Sequence, residues 1–258
     1  MNHSQIGVII VTYKTPAIAV HRLQNEVQRK LKALCFVVDN SLQNKGFAHA
    51  ANRGILLAQA KGCTLFILCN PDIYNIRCSI NEINAAARHF DVFGGVMKQD
   101  KKSYYGGVID YWTMAGGLQS KKPVQTYQSC DFVSGSFMCF TKKALATIGY
   151  LPEHYFMYYE DVDYCHRAKE NNLSVGITTK ITYSHEEWSK SHTAKIYYLA
   201  RNRLIFLFAQ GSLIKKVREL LRIPFTVSRL LITRSPANSL QLQGYRDFLY
   251  GKKIPHQF

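Results

Sequence analysis

The chain has no CxxC pair, and its seven cysteines in 258 residues are odd in number. Neither a disulfide framework nor a zinc knuckle is indicated, and reduced, buried thiols are expected. No apolar run approaches the roughly 20 residues needed to cross a bilayer; Leu204–Ala209 is bounded by Arg201, Arg203 and Gln210. No basic segment or cleavage site flanks the strand-length run Ile6–Val11, which predicts no export signal and a cytoplasmic protein. Internal repeats, low-complexity linkers and the glycine spacing of a dinucleotide or Walker loop are all missing. Acidic residues are few: 17 Asp and Glu face 33 Lys and Arg, for a net charge of +16. Such a surplus suits nucleic acid, an anionic membrane surface or a phosphate-bearing substrate. With no RRM, KH or helix-turn-helix signature, a nucleic-acid partner is not expected.

What is present is a hydrophobic content of 47%, enough for one substantial domain or a domain with an appendage. Short apolar runs alternate with helical patterns. Strands are expected at Ile6–Thr12, Leu34–Val38, Thr64–Cys69, Val92–Met97, Phe132–Thr141 and Leu173–Thr178. Helices are expected from Thr15-Pro16 with Ile18, Leu23 and Val27 on one face, and at Phe47–Ala60, Ile76–Phe90, Lys142–Ile148, Glu160–Asn171 and Ala194–Gln210. Tyr104–Gly117 reads as loops and small edge strands. This order predicts βαβ units, a mostly parallel sheet flanked by helices and an α/β fold. From Lys195 onward twelve Lys and Arg face only Glu219 and Asp247. Residues 1–194 are therefore expected to form the catalytic domain and 195–258 a basic, amphipathic helical region, bent at Pro224. A helix mixing Leu, Phe and Val with Lys and Arg suits the anionic inner leaflet, as a peripheral contact; a solvated helix packed on the core is the alternative.

Two acidic stations carry the chemistry. Asn70-Pro71-Asp72 follows the buried run Leu65–Cys69, at the carboxyl end of a strand, where open α/β sheets bind ligands. Asp72 there suits a metal ligand, or an Asn-Pro-Asp turn. Glu160-Asp161 follows the aromatic stretch Tyr155–Tyr159 and suits a general base, or the caps of a helix N-terminus. Asp39 ends a strand and could accept from the N3–H of a pyrimidine. His185 could ligate a metal through a neutral imidazole nitrogen. Gly46-Phe47-Ala48, with Asn52-Arg53-Gly54 one turn on, could meet a phosphate or ribose at a helix N-terminus.

In this order the pieces resemble the inverting glycosyltransferases of family 2, most closely their bacterial rhamnosyltransferase-like branch. The resemblance rests on Val8–Tyr13, Val37–Ser41, Asn44 with Gly46-Phe47-Ala48 and Asn52-Arg53-Gly54, Asn70-Pro71-Asp72, Phe132–Met138, Tyr155–Cys165, Arg167, His185 and Arg201-Asn202, over roughly residues 6–207. It implies a GT-A fold whose Rossmann-like nucleotide-binding half runs from Ile6 to about Met97. On the donor side it implies Thr12, Tyr13, Asp39, Gly46, Asn52, Arg53 and Asp72. Asp72 with His185 would hold a divalent cation, Mg²⁺ or Mn²⁺. Asp161 would be the base, beside Glu160, and Gly135, Ser136, Tyr158 and Arg201 would meet the acceptor. The reaction implied moves a sugar, with dTDP-L-rhamnose favoured over UDP-hexoses or a furanose, to a hydroxyl of a glycan or polyprenyl-diphosphate-linked acceptor in bacterial surface polysaccharide (O-antigen) synthesis. A non-catalytic sugar-nucleotide-binding assembly partner is the alternative. Two departures stand out: only Ser41–Lys45 separate Asn40 from Gly46, where the family usually has a helix and a strand, and Gly149–Glu153 replaces the usual Gly-Phe-Asp-Glu.

Overall fold

A computed structural model of the chain describes residues 5–186, 192–233 and 235–251. Met1–Ser4, Arg234 and the Glu187-Trp188 end of the histidine motif lie outside the described residues. In chain order the elements are β1 (Ile6–Thr12), α1 (Ala17–Leu31), β2 (Leu34–Asp39), α2 (Phe47–Ala60), β3 (Leu65–Cys69), β4 (Ile73–Arg77), α3 (Ile80–His89) and β5 (Val92–Gln99). They continue with β6 (Lys102–Tyr104), β7 (Gly107–Asp110), β8 (Ala115–Leu118), β9 (Tyr127–Ser129), β10 (Phe137–Thr141), α4 (Lys142–Ile148), α5 (Glu160–Glu170), β11 (Val175–His185), α6 (His192–Gln210), α7 (Leu213–Thr233) and α8 (Pro236–Leu249).

The main sheet runs β2-β1-β3-β10-β5-β11-β4, with β6 paired to β5 and β9 to β11. Along this path β2, β1, β3, β5 and β11 share one direction, while β10 and β4 oppose it. The sheet is thus mixed but mostly parallel, as expected of an α/β fold. Period-two alternation divides its side chains between two cores. Ile9, Val11, Phe66 and Leu68 face α2, together with Tyr164 and Cys165 of α5. Val8, Ile10, Ile67 and Cys69 face Leu23 and Val27 of α1 and Ile83 of α3. Burying strands on both faces is why β1 and β3 are continuous apolar runs. All seven cysteines are free thiols, five of them buried.

Several elements differ from the sequence expectation. Residues 73–77 form a strand, and the helix begins only at Ile80, after a capping box in which Ser79 and Glu82 serve each other's backbone N–H. Ile73 and Ile76 are both buried at a spacing of three that imitates a helix. Asn75, at φ 51°, stands where the β4–β11 register shifts, and this bulge turns both isoleucines inward. β10 starts at Phe137 because Phe132–Ser136 form a turn. β11 extends to His185, its register against β5 shifting between Ile177 and Thr182. In α1 the buried stripe is Ala19, Leu23, Val27 and Leu31, an i+4 series, so Ile18 points outward.

Beyond residue 194, α6 contributes Phe206 and Leu207 to the core beneath the sheet. α8 lies close against α6, since a Cβ on Gly244 would stand 2.8 Å from the Tyr197 carbonyl. α7 continues through Pro224 and is fastened by Glu219, which is fully buried and bonded to Arg203, Arg218 and Arg222. Burial alone would raise that carboxyl, but the hydrogen bonds from Arg222 and Arg203 outweigh it and hold Glu219 down to about 2.

Candidate active site

Asn70-Pro71-Asp72 leaves the carboxyl end of β3 in the middle of the sheet. The chain then turns back into β4, which pairs antiparallel with the end of β11 and sets Ile73 opposite His185. The Glu186 N–H donates to the Asp72 carbonyl at 3.1 Å. Strand pairing therefore brings together two side chains distant in sequence: His185 Nε2 lies 3.3 Å from Asp72 Oδ1. His185 Nδ1 lies 3.2 Å from Gln99 Oε1, and the tautomer with its proton on Nδ1 leaves Nε2 able to ligate a metal. Nε2 is buried without a hydrogen bond among the described residues. A carboxylate oxygen and an imidazole nitrogen at this distance fit two ligands of a shared divalent cation. The described residues hold no group of three or more His, Cys, Asp or Glu able to enclose an ion unaided.

The second station is built on unusual backbone. Phe156, Tyr158 and Tyr159 have φ of 69°, 65° and 78°, in the left-handed region that bulky residues avoid. Two clamps hold them. Asn202 of α6 directs Nδ2 to the carbonyls of Tyr155, Met157 and Tyr158 at 3.1, 2.7 and 2.9 Å. Its Oδ1 accepts from Arg201 Nη1 at 2.7 Å, which sets the direction of the amide. From the other side the Phe47 N–H donates to the Phe156 carbonyl at 2.7 Å. Gly46 makes that approach possible, because at its φ of 99° a Cβ would lie 2.6 Å from the same carbonyl oxygen.

The turn Ser134–Ser136 joins the stations. The Asn70 N–H donates to the Ser136 carbonyl at 3.0 Å, and the Gly135 N–H donates to Asp161 Oδ2 at 2.9 Å. Ser136 Oγ also pairs with Tyr183 Oη at 2.9 Å. Asp161 Oδ1 accepts from the Val162 N–H at 2.9 Å. Burial pushes both neighbouring carboxyls up, Glu160 to about 8, with the Asp161 charge adding to its rise. Backbone donors offset part of the rise at Asp161, whereas Glu160 Oε2 is buried without a partner. Of the pair, Glu160 is the one pushed furthest, to about 8, while the Gly135 and Val162 N–H groups favour the ionised form of Asp161.

Asp72, His185, Gly135, Ser136, Tyr158, Glu160, Asp161 and Tyr13 line one cavity of about 300 Å³, with Asn40, Asn44, Phe47 and Met157. Thr12 lies beneath and donates to Asp39 Oδ1 at 3.4 Å. Asp39 accepts from Ser41 Oγ at 2.6 Å and the Ser41 N–H at 3.0 Å, which hold its carboxyl below the usual range. The short segment after Asn40 is braced by Asn40 Nδ2, which donates to Asn44 Oδ1 at 2.9 Å and to the Gly46 carbonyl at 3.1 Å. Thr12, Asp39, Gly46, Asn52, Arg53 and Arg201 do not line the cavity. Asn52 instead exchanges two bonds with the Leu151 backbone, at 2.9 and 3.0 Å, and Arg53 is exposed on α2. Arg201 is buried beside Asn202. Asn202 belongs to the Arg201-Asn202 match, and it is the asparagine, not the arginine, that holds the aromatic segment.

No family model matches the chain. Over 124 residues it is 30% identical to the low-salt glycan biosynthesis hexosyltransferase Agl10 of Haloferax volcanii, a match over 46% of this chain that spans 37% of that relative's length. GalNAc-T7, solved with UDP, GalNAc and Mn²⁺, is similar in structure with a TM-score of 0.58 at 10% identity, over 97% of this chain and 57% of that one. The mannosyltransferase PcManGT of Pyrobaculum calidifontis, solved with GDP-Man and Mn²⁺, gives 0.53 at 10% identity over 96% and 88%. These likenesses show a shared fold: a mostly parallel sheet flanked by helices.

Proposed function

We propose that this chain is a glycosyltransferase that moves a sugar from a nucleotide-sugar donor to an acceptor hydroxyl. The observation that carries the reading is the cavity itself, with Asp72 and His185 on one wall and Asp161, held by the Gly135 N–H, on another. The hexosyltransferase relative supports it. Asp72 and His185 would hold a divalent cation, which would supply neutralisation of the charge that develops on the departing diphosphate. Asp161 accepts the proton of the acceptor hydroxyl. The hydroxyl oxygen bonds to the anomeric carbon as the bond to the diphosphate oxygen breaks, and the configuration inverts. Glu160, neutral and beside Asp161, can donate a hydrogen bond to acceptor or sugar. Tyr158 offers its ring to an apolar sugar face.

The donor favoured by the sequence resemblance is dTDP-L-rhamnose; the archaeal relative favours a hexose. The acceptor in this reading is a glycan or a polyprenyl-diphosphate-linked sugar at the inner face of the plasma membrane. A screen of nucleotide sugars with Mn²⁺ or Mg²⁺ tests both levels, because a ligand bound only by the folded state raises Tm. A donor that both stabilises the protein and is slowly hydrolysed supports transfer. Stabilisation without hydrolysis or transfer would favour a non-catalytic sugar-nucleotide binder, and no response to any donor would sink the reading.

A further inference from the structure

We infer that the outward face of α7 is a membrane-surface helix that docks in the interface of an anionic lipid leaflet. The inference rests on the packing of α7 and stands whether or not the transfer reading holds. Amphipathic sequence alone predicts that the apolar face of such a helix turns to the core. Here the packed face is Glu219, Ile223, Thr226 and Leu230. The apolar side chains are on the other side: Ile214, Leu221, Phe225 and Ile232 are 71%, 67%, 78% and 80% exposed. At 3.6 residues per turn these four fall within about 40° of one another, and a helix of this length carries them along roughly 30 Å. A stripe this long exceeds the scattered apolar residues of an ordinary surface.

The charges decide what covers it. Arg229 is exposed along one flank of the stripe, with Lys215 half-buried on the same side, and the only acid on α7, Glu219, is buried and neutralised by Arg203, Arg218 and Arg222. A second copy docked across this face would bring flanks of one sign together. Nucleic acid would meet alkyl side chains before the cations. Lipid phosphates above acyl chains meet both in the right order. The surface continues onto α8, where a groove of about 880 Å³ between the helices is lined by Leu231, Leu242, Leu249 and Tyr250, with Arg246 at its side. None of the described helices is long and apolar enough to cross a membrane, so this contact lies in the plane of the leaflet.

Flotation of the full chain with phosphatidylcholine vesicles, with and without phosphatidylglycerol, tests this. Wild type should float only with the anionic vesicles and be released by salt. Phe225→Ser with Ile232→Ser, and separately Arg229→Glu, should each weaken partitioning about tenfold. All three positions face solvent, so Tm should not move, and Val124→Ser, a fully exposed site elsewhere, should float as wild type does. Equal flotation of wild type and the double variant would overturn the inference. So would failure of wild type to float, or a wild-type dimer that the double variant abolishes.

Discussion

His185 Nε2 and Asp72 Oδ1 stand 3.3 Å apart, brought together by the pairing of β4 with the end of β11. Gln99 Oε1, 3.2 Å from Nδ1, supports the tautomer that leaves Nε2 free to ligate a metal. Mn²⁺ should therefore raise Tm in the presence of a nucleoside diphosphate, and His185→Ala should weaken metal binding about 10- to 100-fold. Asp72→Ala should remove metal-dependent donor binding. Isothermal titration of Mn²⁺ checks both, and an unchanged metal affinity in either variant counts against the pair.

The adjacent acids should respond in opposite ways to isosteric amides. Glu160→Gln imitates the neutral carboxyl and should keep most transfer, whereas Asp161→Asn should keep donor binding and lose about 10²- to 10⁴-fold in rate. Stability gives an independent check. Because the folded state retains the Glu160 proton up to about 8, while an unfolded chain releases it near 4.5, this group's ionisation lowers stability as pH rises through that window. Glu160→Gln should flatten the decline in denaturant titrations at pH 5, 7 and 9.

Asn202→Asp preserves volume and removes both N–H donors. Three carbonyls of the strained segment then lose their partner, at about 3 kcal/mol of stability. The donor side is not touched, so kcat should fall at least tenfold while donor KM changes little. Steady-state kinetics with varied donor, normalised to the folded fraction read by circular dichroism, separates this from general misfolding, which would leave the normalised kcat unchanged.

Glu219→Gln should destabilise the fold by about 3 kcal/mol at pH 7, since three arginines lose a buried counter-charge. The native carboxyl is held near 2, below the ordinary 4.5. Its contribution is complete above the unfolded value and disappears as pH falls through the folded one. The stability gap between wild type and variant should therefore narrow between pH 5 and pH 2 in urea titrations.

Much of the first half was legible in the sequence because burial on both faces makes strands such as β1 and β3 unmistakable, and because α2 carries a clean alanine-rich run. The site was legible as two acidic stations. What was not legible was their connection. β4 hid behind the helical spacing of Ile73 and Ile76, which a bulge at Asn75 explains only in three dimensions. Gly46 and Asn202 act through backbone atoms of the aromatic segment, and no side-chain pattern announces a contact with a carbonyl. α8 was unmarked for a similar reason: its docking depends on Gly244, whose use is the room it leaves for α6.

The antiparallel strand β10 sits between β3 and β5, elements that precede it in the chain. A polypeptide ending at Gln99 would thus have two open edges where the middle of its sheet should be, and no means of closing them. The segment from Ile6 to Gln99 is consequently not a sheet complete in itself. During synthesis it must wait for residues up to Thr141 before the sheet is continuous, and for His185 before β4 has its partner. Long-range closure of this kind slows folding, and it ties completion of the central sheet to strands that also carry the walls of the cavity.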